Sequence, residues 1–89
     1  MIQESLTIAN EVGLDPRNSA KLTRLASGFV SEVWLSRSGR KVNAKVVMDV
    51  AMLAAGMGTT LELSVSGGDE RECVGAIRKL IEDKFGDPL

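Results

Sequence analysis

Residues 60–66 read TLELSVS, with Leu61, Leu63 and Val65 alternating against Thr60, Glu62 and Ser64. A two-residue period sends successive side chains to opposite faces of a strand, so this segment buries one face and wets the other. The alternation recurs in three other places. Leu6 and Ile8 alternate with Ser5 and Thr7, predicting a strand at about 3–9. Val33 and Leu35 alternate with Glu32, Trp34 and Ser36, predicting one at 31–37. After the tight turn Ser38-Gly39, a strand over 40–45 turns Val42 and Ala44 inward. Four half-wet strands make an antiparallel sheet that needs an apolar cover on one side only.

The segments between the strands supply that cover. From Pro16, Ala20, Leu22, Leu25 and Ala26 form the stripe of a short amphipathic helix, which Gly28 is expected to close in a left-handed conformation. Residues 46–53, VVMDVAML, favour a short helix stopped by Gly56 and Gly58. Gly67-Gly68 turns the chain into a last helix with Cys73, Ala76, Ile77, Leu80 and Ile81 on its buried face, ending near 84–86. Asp69 and Glu72 have capping-box spacing at its start. The tail DPL is expected to be loose. The order is β-α-β-β-α-β-α: an α+β open-faced sandwich, a four-stranded antiparallel sheet with three helices on one face. The expectation is a single domain over 1–89, with its ordered core at about 2–85.

Composition removes whole classes of chemistry. The 89 residues contain no histidine and one cysteine. His-based zinc sites, His general bases, Ser-His or Cys-His pairs and phosphohistidine are excluded, as are a disulfide and a cysteine metal cluster. No metal or cofactor is expected. Net charge is −1, with one Trp, two Phe and no Tyr, so neither the charge nor the stacking platforms of a nucleic-acid binder are there. The start MIQESLTIANE lacks signal-peptide character and no apolar run has membrane-spanning length, which points to the cytoplasm without membrane insertion.

The order of elements, the length and several local strings resemble HPr, the small phosphocarrier of the bacterial phosphotransferase system. Gly13-Leu14 followed by Arg17 resembles the start of the family's active-site motif, G-L-H-x-R-P-A. Gly28-Phe29 with Ser31-Glu32-Val33, then Ser38-Gly39-Arg40-Lys41 with Asn43-Ala44-Lys45, resemble its second strand, hairpin and approach to the second helix. Gly58-Thr59 and Gly68-Asp69-Glu70 complete the likeness, which runs over essentially the whole chain. The resemblance implies an HPr-like fold. In the family, the histidine after Gly-Leu takes phosphate from phosphoenolpyruvate via enzyme I, and a serine opening the second helix is a kinase target in Gram-positive-type members. Here Asp15 stands at the histidine position, Val46 at the serine position and Asn18 where a proline follows the arginine.

Each candidate residue carries two readings. Asp15 before Pro16 has the chemistry of a helix N-cap. Its sharper readings are an acyl-phosphate acceptor, which calls for Mg²⁺ and further oxygen ligands with only Glu11 near in sequence, or a fixed mimic of phosphohistidine. Arg17 either holds an anion or a partner's acidic surface, or is a solvated first-turn residue. Val47, Met48 and Met52 form an apolar docking surface, or Val47 joins Val50 and Leu53 in the core. Trp34 is expected on the open sheet face, Cys73 as an inert buried thiol, and Lys21, Arg24 and Arg40 as solvated charges. The combined expectation is a His-less regulatory or protein-binding module. Its implied partners are enzyme I-like proteins, sugar-specific components or a regulator. The alternatives are a carrier through Asp15 and a structural, self-associating domain that keeps only the fold.

Overall fold

The computed structural model describes residues 1–87. The elements are β1 (Ile2–Thr7), α1 (Pro16–Ser27), β2 (Glu32–Arg37), β3 (Arg40–Asn43), α2 (Val47–Met52), β4 (Thr60–Ser66) and α3 (Glu70–Glu82), followed by a 3₁₀ turn at Lys84–Gly86. The sheet order is β1-β4-β2-β3 with every pair antiparallel. β4 is central: Leu63 pairs with Glu4 on one side and Leu35 on the other, and Leu61, Leu63 and Val65 are fully buried. Leu22 and Ala26 of α1, Val50 of α2 and Cys73, Ile77 and Ile81 of α3 close over that face, with Phe85 sealing one end. The α+β sandwich with three helices is therefore the observed architecture.

Trp34 lies half-buried on the open face with the Lys41 ammonium 5.3 Å from its ring centroid, so a cation covers the aromatic. The Ser38-Gly39 turn has positive φ at both residues (50° and 82°), as a two-residue hairpin requires.

Several local expectations are corrected. β1 stops at Thr7; Ile8 is buried but bonds the loop before β4 rather than the strand, through Thr59 O at 2.9 Å and Gly58 N at 2.8 Å. β3 stops at Asn43: Ala44 N still bonds Val33 O in register, but Lys45 N donates to Asn43 Oδ1 and Val46 N to Asn43 O, which turns the chain towards α2. Gly28 ends α1 at φ −77°, a right-handed conformation, and Lys45 Nζ donates to Phe29 O at 2.8 Å beyond it. The Asp69–Glu72 capping box is absent. The Asp69 carboxylate instead accepts from Val30 N, Ser31 N and the Ser31 hydroxyl (2.9, 3.0 and 2.5 Å), pinning the entrance to β2. Glu70 takes over the reciprocal role by accepting from Gly67 N at 3.1 Å, and it also pairs with the N-terminal ammonium. Lys21 and Arg40 are not simply solvated: they donate to Phe85 O and Met52 O. Of the tail DPL, Pro88 and Leu89 lie outside the described residues, and Asp87 is not loose, as shown below.

Gly13 sets the corner that leads into α1. Its φ is +62°, and Leu14 N donates to Ala55 O at 2.8 Å in the loop after α2. A Cβ on Gly13 would run into Ala55 O and the Gly56 Cα. Gly13→Ala is expected to cost more than about 1 kcal/mol through left-handed strain and this clash, read as a lower urea midpoint.

Candidate functional site

α1 starts at Pro16 because Asp15 is extended (φ −70°, ψ 173°) and its Oδ1 accepts from Asn18 N at 2.8 Å. Pro16 occupies the first helical position, where no donor is needed. The Asp15 carboxylate is thus committed to Asn18 N, one of the free N–H groups of the helix start that an incoming anion would use.

Arg17 does not pair with Asp15. Its side chain reaches Asp87, with Nη2 3.0 Å from Oδ1. Two buried amides complete the arrangement: Asn10 Nδ2 and Asn18 Nδ2 each donate to Asp87 Oδ2 at 2.9 Å and also to Gly13 O. Three side chains from the β1–α1 loop and the first turn of α1 therefore converge on one carboxylate from the C-terminal segment. The Asn18 amide, then Asn10 and the charges of Arg17 and Lys21, hold the Asp87 carboxyl below its ordinary value of 3.8. Sequence reasoning missed this cluster. Nothing local in NEVGLDPRN and FGD announces that the two segments meet; the reading of Arg17 as an anion holder named a donor without its partner.

The second group of expected residues lies on α2. Val46 at the N-cap offers no side-chain bond and is 41% exposed, followed by Val47 at 38%, Met48 at 69% and Met52 at 57%. Val50 and Leu53 face the core, whereas Val47 does not join them; a six-residue helix can bury only one stripe. Met57, in the loop after α2, and Val12, before α1, are also exposed, and the sequence reading did not single them out. The Leu14–Ala55 main-chain bond joins the loop after α2 to the entrance of α1, so the polar corner and the apolar helix belong to neighbouring surfaces. The same C-terminal end of α2 is held by Arg37, whose Nη1 donates to Leu53 O and Ala54 O at 2.7 Å.

Cys73 is buried, and burial raises its thiol pKa. Among the described residues, no group of three or more His, Cys, Asp or Glu side chains is placed to hold a metal ion. Among them, too, no helix is long and apolar enough to cross a membrane.

Comparison with known proteins agrees with the fold and extends it. Residues 2–83 match the family described as the PTS HPr component phosphorylation site. The chain is 52% identical over 87 residues to the phosphocarrier protein HPr of Cupriavidus necator, covering 98% of each. It is 35% identical over 82 residues to the HPr-like protein Crh of Halalkalibacterium halodurans, covering 92% of this chain and 98% of that one. The crystal structure of HPr-C-His from Thermoanaerobacter tengcongensis superimposes with a TM-score of 0.95 at 38% identity over the whole of both chains.

Two expectations follow from the corner. Asp15→Ala removes a helix cap and should lower stability by about 1 kcal/mol, while Asp15→Asn keeps an acceptor and should cost less, both read by urea denaturation. Because the folded-state pKa of Asp87 lies below its unfolded value, its contribution is present above about pH 4 and disappears as pH falls through the folded value. The urea midpoints of the wild type and Asp87→Asn should differ most at pH 7, with the wild type higher, and converge in acid.

Proposed function

The chain belongs to the HPr family of phosphocarrier proteins of the phosphotransferase system, and on that premise we propose that it is a member without the phosphoryl acceptor, a protein-binding or regulatory module. The observation that supports this reading most directly is the cap at Asp15. The position of the family's histidine carries a carboxylate that already caps the helix start through Asn18 N, and the chain has no histidine to take its place. A phosphoryl group arriving there would meet a resident anion in place of free N–H donors.

Docking then rests on surfaces and not on transfer. Met48 and Met52 lie one turn apart on α2 and expose flexible, polarizable side chains, with Val46 and Val47 beside them. Such a cluster suits a partner's apolar face, and Arg17 at the neighbouring corner suits an acidic rim. The partners we assign are enzyme I-like proteins, sugar-specific components or a regulator of the same system, in the cytoplasm. Val46 in place of a hydroxyl residue leaves the second helix without the regulatory modification that the family resemblance implies.

Incubation with phosphoenolpyruvate and enzyme I, followed by intact mass measurement, should show no adduct. A stoichiometric phosphoryl adduct that disappears in Asp15→Asn and is cleaved by hydroxylamine would replace this reading with an acyl-phosphate carrier. Binding to purified enzyme I should weaken at least about tenfold in Met48→Asp, the effect of placing a charge in an apolar contact.

A further inference from the structure

α1 and α3 pack side by side, and the seam on their outer side is apolar. Two adjoining hollows of about 550 and 580 Å³ run along it and share Lys21, Leu25 and Leu80. Lys21 and Leu25 on α1, with Phe29 just beyond it, recur every four residues, as do Ala76 and Leu80 on α3. Such rows are ridges, and the groove between them accepts the ridge of another helix. Leu25, Phe29 and Leu80 rest on the core with one side and leave the other on the seam. The rim is charged, with one sign in excess. Lys21, Arg24 and Lys79 line the hollows against a single carboxylate, Asp83. Among the described residues none of the three cations has an ion-pair partner, and the Lys21 ammonium is bonded to a neutral carbonyl, Phe85 O. α1 itself carries no acidic side chain from Pro16 to Ser27.

We propose that this seam is a docking surface distinct from α2, and that its occupant is an acidic amphipathic helix of a partner protein. The visitor's apolar ridge lies between Leu25 and Leu80, and its flanking carboxylates face Lys21, Arg24 and Lys79. Shape selects a helix over a small molecule: the trough is open along its length, and a small ligand needs burial on most sides. Charge selects the acidic kind, because a basic helix would bring like charges onto cations that already lack counter-ions. The 12 residues of α1 span about 18 Å, which accommodates anchors at i, i+3 or i+4, and i+7 of the visiting helix. A contact of this size is transient, steered by charge and weakened by salt. This surface does not depend on which proteins dock on α2.

The probe is a synthetic peptide of about 15 residues, with leucine at i, i+3, i+4 and i+7 on one face and glutamate elsewhere, held helical by a staple opposite the leucines. Backbone amide resonances of the full chain at low salt give both the map and the affinity. Resonances of residues 21–29 and 76–83 should shift saturably, while those of 47–52 should not. The same peptide with lysine for every glutamate should bind at least about tenfold more weakly. Reversing two exposed cations, Arg24→Glu with Lys79→Glu, should exchange that order without touching the core. Leu25→Gln should weaken the glutamate peptide at least about fivefold. Should Leu25→Gln lose its dispersed spectrum, the charge reversal decides alone. Absence of saturation, shifts centred on α2, or equal affinity for the two peptides would overturn the proposal. Concentration-dependent shifts along the seam without peptide would replace the partner by a second copy of this chain.

Discussion

The whole molecule depends on β4 having one dry face. It is central, bonded to β1 and β2 along its length, and its alternate residues Leu61, Leu63 and Val65 are fully buried. A strand so placed has no spare hydrogen-bonding edge, so only its side chains remain to be dealt with. Each buried leucine contributes about 1.5–3 kcal/mol on leaving water, but only if apolar atoms cover it. α1, α2 and α3 exist to provide that cover, and their own stripes are sized to it. α2 is too short to be stable alone in water, so packing and its held ends are what keep it helical.

The polar corner is a second, smaller system resting on the first. A helix start leaves N–H groups without partners, and a capping carboxylate is the simplest remedy. Asp15 supplies it, so the place where the fold offers an anion site is filled from within. A second internal carboxylate, Asp87, fills the adjacent place made by Asn10, Asn18 and Arg17. The corner carries two acidic and one basic side chain, and each of the three is bonded within the chain. That is an arrangement for holding shape and presenting a defined surface.

The alternating strands and helical stripes were legible because burial imposes period on sequence, and the element order was right throughout. What misled was chemistry that long-range contacts reassign. Asp69 has an ideal capping identity and spacing, yet Ser31 and the main chain of 30–31 recruit it across 38 residues, and Glu70 takes the local role. Gly28 looks like a left-handed terminator, but Lys45 reaches the carbonyl just past it and no such turn is required. Asp15 was legible as the cap of α1, since the identity Asp-Pro is local chemistry; the partner of Arg17 was not. The Asp87 cluster joins positions 69 or more apart, a distance at which one sequence holds no signal of contact.

The arginines at the end of α2 have a consequence for how such a surface changes over generations. Arg37 and Arg40 hold that helix by its carbonyls, at Leu53, Ala54 and Met52, and Val50 and Leu53 hold it from below. None of these attachments uses the outward side chains of Val47, Met48 or Met52. Main-chain acceptors are the same whatever residue carries them, so the helix is clamped independently of its outer identity. Lineages can therefore exchange the exposed residues, and with them the molecules that recognise this face, while the scaffold beneath stays untouched.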